Sequence, residues 1–505
     1  MVGRVKIYQP SVSVTLYKTI SRTTLDNGTP VSQRFQGTAH TIDLTPFLGE
    51  NSVLRTSKSV REAAGGFSLT LADKPYKGNY AGATTLESLY GLVEPMDFIE
   101  IRMRHDPPSS QGQKPTIIMR GFVSEITRSE SMGSDGRPQR FVIINGQDYG
   151  KLWQMLQIIY LPGYVIGEDI ISGFKLFERF GGAVNILKSA DFVTQIIQTI
   201  LNPYLANLMP SNSPNPATIQ LDMTVSHGVT SIQGPQNQEG SIYNLLRTYG
   251  DVGIWNELYL DDREDGVYCV YRPVPALDAS GNLIQSDAPN PVYWDLPDTD
   301  VISLNVSRSD ANVANYYWVR APRFDLVDSL YQQQFAIQGA AADTVLLGTY
   351  ANSSSNLYGT RVMYGETQQG GDEVGSMASG LPKAQQATRN ASMANWTADR
   401  RAIMVNQNKD NVLFERGAIR VRGNENIKAG MYVRLRRGQF RSSYYVVQVD
   451  HEFIPFQGFF STLIVERGTG FIERAKRNGS GGDSPYLAEM APTPSLSDLV
   501  SSGNG

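Results

Sequence analysis

The chain states one β pattern twice, and that repetition limits its possible folds more than any other feature. The first copy opens at Phe98 with FIEIRMR, continues through TIIMRGFVSEITRS (116–129) and closes with RFVIINGQD (140–148). The second opens at Tyr432 with YVRLRR, continues through SYYVVQVDHEF (443–453) and closes with FFSTLIVERG (459–468). Each copy reads as three successive strands. Ile99 and Ile101 share one face of their strand, with Glu100 and Arg102 on the other. Val433 and Leu435 repeat that arrangement against Arg434 and Arg436. Side chains of a strand alternate between faces, so one row covers a core and the other shows charge. The middle strands are long and rich in β-branched and aromatic residues, which suits a pleated surface. The last strands are apolar at nearly every position, a pattern of burial on both faces. Two such meanders imply a mainly β chain with two similar antiparallel β-barrel domains.

The rest of the sequence arranges itself around them. Residues 1–150 form the first barrel, with strands VSVTLYKTI (12–20), HTIDLTPFL (40–48) and GFSLTLAD (66–73), a turn at Asn27-Gly28, and a loop over 76–94. Residues 151–300 read as an α+β insertion. A helix is expected over 151–161, stopped by Pro162 and Gly163. Phe192, Val193, Ile196, Ile197, Ile200 and Leu201 keep helical spacing until Pro203 ends or kinks the helix. Ser241 caps a short helix with apolar face Ile242, Leu245, Leu246 and Tyr249, and Gly250 stops it. A hairpin follows, GIWNELYL (253–260) and VYCVYRP (267–273) across an acidic turn.

Segments 301–338 and 410–475 form the second barrel, beginning with VISLNVSRS (301–309) and NYYWVRAP (315–322). Between them, 339–409 is a loop and helix insertion. Its Gly-, Ser-, Gln- and Asn-rich part reads as a long surface loop, and a helix across 383–408 carries an alanine seam at Ala384, Ala387, Ala391, Ala394 and Ala398. Residues 476–505 lack the apolar content of a core and read as a flexible tail, whose PYLAEM island (485–490) suits threading into a partner.

Composition narrows the function classes. Charged residues are 19% of the chain and net charge is −4, which gives no electrostatic reason to bind nucleic acid or an anionic membrane. The single cysteine, Cys269, excludes an internal disulfide and reads as a core thiol. No apolar run reaches spanning length and the N-terminus lacks a signal-peptide core, so no membrane segment is expected, and a soluble protein or release by lysis is.

Catalytic patterns are missing from the sequence. His40, His105, His227 and His451 are scattered, and His451-Glu452 runs into Phe453, Ile454 and Pro455 rather than a second histidine. His451 shares a face with Val447, Val449 and Phe453 and reads as packed or interfacial. The run Asp261, Asp262, Glu264, Asp265, Gly266 suggests a calcium loop, but Arg263 and Arg272 occupy key ligand positions, so a hairpin turn is favoured. Ser376 and Ser379 lack a nucleophile-elbow context. No catalytic residue, cofactor site or metal site is assigned. Arg102, Arg104, Arg434, Arg436 and Arg437 are either solvated, the favoured reading, or paired with acids of a neighbouring subunit, and Arg102, Arg104, Arg434 and Arg436 are the interface candidates.

Three stretches resemble the baseplate hub protein of contractile-tailed bacteriophages, the late control protein D type, related to the hub part of type VI secretion spikes. They are GFVSEI…FVIINGQDYGKLW, GSIYNLLRTYGDVGIWNELYL, and ERGAIRVRGNENIKAGMYVRLRR…YYVVQVDHEFIPFQGFFSTLIVERG, with a turn at Ala429-Gly430-Met431. The likeness spans most of residues 1–470, and 323–382 match no pattern of the family. The resemblance implies a structural, non-enzymatic virion protein of the tail baseplate, assembled in the host cytoplasm. It implies a homotrimeric ring that adapts a sixfold tail tube to a threefold central spike, contacts other baseplate proteins, and passes genomic DNA without specific binding. No β-helix repeat follows the second barrel, so the needle is expected on a separate protein. The alternatives are a tail-associated cell-wall hydrolase and a receptor-binding baseplate protein.

Overall fold

The computed structural model describes residues 9–469 apart from 20–22, 27–28, 33–40, 81–82, 107–111, 134–135, 137, 162–163, 167–185, 210–213, 232–239, 321–349, 372–382 and 438–439. The C-terminal tail with its PYLAEM island, Ser376, Ser379, His40 and most of 323–382 lie outside the described residues.

The first unit contains β1 (Ser11–Tyr17), β2 (Thr41–Asp43), β3 (Val53–Ser59), β4 (Gly66–Ala72), β5 (Phe98–Arg104), β6 (Thr116–Met132) and β7 (Pro138–Asp148). The insertion contributes α1 (Gly150–Met155), α2 (Ser189–Ile196), α3 (Asn202–Leu208), α4 (Ile242–Tyr249) and the hairpin β8 (Asn256–Arg263) and β9 (Gly266–Pro273). The second unit contains β10 (Tyr293–Leu296), β11 (Val301–Ser307), α5 (Lys383–Asn408), β12 (Glu415–Arg422), β13 (Tyr432–Arg437), β14 (Phe440–Ile454) and β15 (Gly458–Gly468).

The fold is mainly β with an α+β insertion, and the meander does occur twice. Separate barrels do not form among the described residues. One 13-stranded sheet runs through both units, in the order β11-β12-β15-β14-β3-β4-β7-β6-β5-β1-β2, with β13 on β14 and β10 on β13. Within it each unit keeps one topology. The series β3-β4-β7-β6-β5 is matched by β11-β12-β15-β14-β13.

The match extends to irregularities. β6 bulges against β7 between Val123 and Glu125, and β14 bulges against β15 between Val446 and Gln448. A bulge bends a strand and strengthens its twist, so its repetition gives both sheets the same bend. Just before the first strand of each meander, Met96 has φ 70° and Gly430 has φ 87°. The Met96 N–H donates to Val123 O at 2.8 Å, and the Gly430 N–H donates to Val446 O at 2.8 Å. An aromatic pair then fills each bend: Phe98 with Phe122, centroids 5.4 Å apart, and Tyr432 with Tyr445, 5.1 Å apart. The units differ in their outermost strands. β1 pairs antiparallel with β5, whereas β10 pairs parallel with β13.

Several local expectations are corrected. The last strands are not buried on both faces: β7 alternates along its length and Ile464 of β15 is 37% exposed. The helix expected over 151–161 stops at Met155, and Gln157–Leu161 is a strand, because Ile158, Ile159 and Tyr160 favour extended backbone. Pro203 does not end its helix. A π turn, Ile197–Leu201, interrupts the α-helix just before it, and α3 runs on from Asn202, so of the two expectations an end is overturned and the wider turn accommodates a residue that lacks an N–H. The segment Tyr316–Arg320 leaves the large sheet and pairs parallel with Val362–Glu366. Those residues and the short helix Ser355–Tyr358 replace part of the long loop expected over 339–382. In the described part of α5 the buried side chains are Thr397, Arg400, Arg401, Met404 and Gln407, while Ala391 is exposed. Met404 packs in a cluster with Trp255, Tyr317 and Val319, and the Trp255 indole N–H donates to Arg400 O at 2.9 Å, so larger side chains rather than an alanine seam hold this part of the helix.

The helix capped by Ser241 stands as read. Its hydroxyl accepts from the Asn244 N–H at 3.3 Å, and Ile242, Leu245, Leu246 and Tyr249 are buried. They join α1, α2 and α3 in a core that also takes in Phe98 and Phe122. No helix among the described residues is long and apolar enough to cross a membrane.

Candidate functional site

The site is the seam between the two units together with the contacts that lock it. β14 is long enough to serve two neighbours on one edge. Its first half pairs with β13, and Gln448–Phe453 pairs with β3 of the first unit. The register sets Gln448 opposite Ser59, Asp450 opposite Ser57, Glu452 opposite Arg55 and Phe453 opposite Leu54. Beyond the last pair, the Val60 N–H donates to Val447 O at 3.0 Å.

One face of the seam is buried and mixes apolar with polar side chains. Leu54, Thr56, Val449, His451 and Phe453 are all buried. His451 bonds to the Ser461 hydroxyl at 2.8 Å and stacks near Phe459. Burial pushes its pKa down to about 4, so it is a neutral packing residue at physiological pH. The other face is polar: Glu452 accepts from Arg55 at 2.8 Å and from Arg420 at 3.1 Å.

The acidic turn of the insertion locks the seam from behind. Lys58 of β3 reaches Asp148 at 3.2 Å and Asp262 at 2.5 Å. Burial opposes the lysine charge, but Asp262 and Asp148 outweigh it and hold the group protonated. Glu264 accepts from Arg102 at 2.9 Å and from the Ile117 N–H at 2.8 Å. Arg120 donates to Arg263 O at 2.7 Å. Asp261 accepts from Lys428 of the second unit at 2.9 Å. These acids are therefore docking groups that tie the hairpin to both units. A second lock sits beside it. Glu257 of β8 takes Arg272 at 3.0 Å and the Tyr445 hydroxyl, while Arg272 donates to Gly430 O at 2.8 Å. A third is His105 against Glu425, Nδ1 to Oε2 at 2.6 Å.

The four arginines separate by environment. Arg102 is held inside the chain, by Glu100 at 2.5 Å and by Glu264. Its face was expected outside, but β8 and its turn cover it, and Glu100 is buried. Arg104 donates to Gln113 at 3.2 Å and to Lys114 O at 2.8 Å. Arg434 pairs with Asp295 at 2.8 Å and lies over Tyr293, and Arg436 is exposed. Arg437 has its side chain outside the described residues.

Sequence reading missed Lys58, Arg55 and Glu452. The signal was present. β3 reads LRTSKS over 54–59 and the equivalent stretch of the second unit reads LNVSRS over 304–309. The shared Leu-x-x-Ser-basic-Ser marks the strand that each unit sends to its edge. Cys269 is fully buried in β9, and burial raises its thiol pKa.

No protein-family model matches the chain, and no curated protein matches it. Solved structures do. The 43 kDa tail protein of prophage MuSo2 from Shewanella oneidensis is 12% identical with a TM-score of 0.39, over 90% of this chain and 96% of that one. A tail protein from Neisseria meningitidis MC58 is 10% identical with a TM-score of 0.42, over 91% and 97%. The phage P2 baseplate in its activated conformation is 7% identical with a TM-score of 0.28, over 90% and 99%. All three are tail or baseplate proteins, and every score is below one half, so the likenesses are distant.

Proposed function

We propose that the chain is a structural hub of a phage tail baseplate, a homotrimeric ring that adapts a sixfold tail tube to a threefold central spike. The observation that carries this reading is the seam. A chain that presents the same β unit twice, joined edge to edge, offers six near-equivalent units when three copies assemble. A threefold object needs that property to meet a sixfold partner. In this reading other baseplate proteins pack around the ring, genomic DNA passes its channel without specific binding, and the protein resides in the virion after assembly in the host cytoplasm. The role is structural rather than enzymatic. The charged clusters around the seam are consumed by ion pairs within the chain, which suits rigidity rather than chemistry. Among the interface candidates, Arg104 and Arg436 are the better placed for a neighbouring subunit, since Arg102 and Arg434 already hold carboxylates.

Averaged electron images of the purified chain test this. The expected view is a ring of three copies with six similar lobes around a pore. A monomer, or a ring whose lobes follow no sixfold arrangement, would overturn it.

A further inference from the structure

Each unit sends an edge strand outward, and among the described residues only one of the two edges is paired within the chain. β3 of the first unit fills the free edge of β14. The equivalent strand β11 pairs only with β12 among the described residues, and Ser124–Met132 of β6, the equivalent of the β14 edge, pairs only with β7. We propose that β11 of one copy pairs antiparallel with the outer half of β6 in a second copy, in the register that β3 and β14 already use. This rests on the ring reading above and names the strands that would make the ring.

The register follows from the two bulges, which align Glu125 with Gln448, and from the ladders, which align Leu54 with Leu304 and Ser57 with Ser307. Transfer of the internal seam sets Ser307 opposite Thr127, Val306 opposite Arg128, Asn305 opposite Ser129 and Leu304 opposite Glu130. The backbone groups point the right way. In an antiparallel ladder hydrogen-bonded and non-hydrogen-bonded pairs alternate. The Asp148 N–H donates to Gly65 O and the Asp73 N–H to Arg140 O, which phases β7 so that Ile126, Arg128 and Glu130 turn their N–H groups away from it. The Gly423 N–H donates to Phe459 O, which phases β12 so that Leu304 and Val306 turn theirs outward from β11.

The side chains permit the pairing. No like charges fall directly opposite, and Arg128 is already held by Glu130 at 2.7 Å and Asp73 at 3.7 Å. Both edges lie open: Asn305, Ser307, Thr127, Arg128, Ser129 and Glu130 are exposed. An unpaired edge with this much accessible backbone is a template for another strand. The contact is heterologous, so it closes a ring if the rotation per copy allows and otherwise runs on as a filament.

The test is a pair of cysteines, Thr127→Cys with Ser307→Cys, in the full chain. Their internal counterparts, Asp450 and Ser57, lie at a non-hydrogen-bonded pair, where Cα atoms are about 4.5 Å apart, within disulfide reach. The double variant, oxidised and run without reductant, should give covalent dimers and trimers that collapse on reduction, while each single variant gives none. Buried Cys269 does not compete. If light scattering shows trimers but the double variant stays uncrosslinked, the strand pairing is wrong and the ring reading survives. Monomers throughout would overturn both. Covalent ladders running past three would keep the pairing and overturn closure at three.

Discussion

The outer halves of β6 and β14 occupy equivalent places and live in opposite surroundings. On β14, Val449, His451 and Phe453 are buried under β3. On β6, Ile126 is half-buried while Arg128 and Glu130 stand in solvent. The fold gives the two strands the same bend and the same ladder, so the difference lies in what approaches the free edge. The side chains follow that difference. The covered edge buries Val449, His451 and Phe453, and the open one is charged at the positions of His451 and Phe453, as an edge must be if it is not to aggregate before meeting its partner. One scaffold is thus used twice, and the side chains of each copy match what lies beside its edge.

Proline at matched backbone positions breaks this comparison hardest. Thr56 of β3 and Val306 of β11 are equivalent, and each turns its N–H toward the edge partner. Thr56→Pro removes a bond from the middle of the sheet and leaves a buried carbonyl without its donor, read as a large fall in melting temperature. Val306→Pro removes an N–H that faces no strand of its own chain among the described residues. It should cost the monomer less than Thr56→Pro, chiefly the packing of half-buried Val306 on the second unit's core, yet abolish self-association in sedimentation. Equal thermal losses in the two variants would overturn the contrast between a covered edge and an open one.

The turns before the two meanders differ next. Asp97 in the first unit stands where the second has Met431. It is buried against Lys18 at 2.6 Å, and burial raises its pKa to about 6. A carboxyl whose folded pKa is raised contributes stability that is full below its unfolded pKa, near 4, and is lost as pH rises through 6. The shift corresponds to roughly 3 kcal/mol across that window. Denaturant melts from pH 4 to 7 should show the wild type losing stability relative to Asp97→Asn over that interval. Asp251, also raised to about 6 by burial, is present in both proteins and cancels in the difference. Parallel pH profiles would remove Asp97 from the account.

The aromatic pairs give a smaller effect. Phe98 and Phe122 carry no hydroxyl, whereas the Tyr445 hydroxyl donates to buried Glu257 and lies 3.3 Å from Arg272. Tyr445→Phe should cost about 1–2 kcal/mol, because Glu257 loses a partner where water is scarce. A neutral result in chemical denaturation would show that Arg272 alone satisfies that carboxylate.

Much of this was legible in the sequence, for a definite reason. The meanders follow from alternation, which is local, and Ser241 and Gly250 follow from cap chemistry, which is local too. The seam is not local. Arg55 and Glu452 are 397 residues apart, and nothing in either strand says which edge it will meet. The acidic turn was read correctly as a turn, but its docking role depends on Lys58, Arg102 and Lys428 arriving from three other segments. The charged face of β5 was expected outside because alternation reports that two faces differ, not what will cover them. Closure could not be read for the same reason: among the described residues no closed barrel is found, and β3 and β14 pair across the units instead.

The least effect and the sharpest comparison come from the positive-φ position itself. The second unit places Gly430 there, and the first places Met96. A left-handed backbone costs a residue with Cβ about 1–2 kcal/mol. Met96→Gly relieves that strain, but it also adds freedom to the unfolded chain, about 0.5–1 kcal/mol, and gives up the packing of Met96 on the insertion core. The opposing contributions nearly cancel, so this variant should lie within about 1 kcal/mol of wild type. Gly430→Ala takes freedom from the unfolded chain, but at a positive φ its steric cost exceeds that gain. Its new Cβ would fall 2.5 Å from Arg272 Nη2 and 3.0 Å from the Tyr259 hydroxyl, displacing the group that bonds Gly430 O. Melting curves should therefore show Gly430→Ala clearly destabilised beside a near-neutral Met96→Gly. The reverse order would mean that the two turns, though superimposable in hydrogen bonding, do not bear on their cores in the same way.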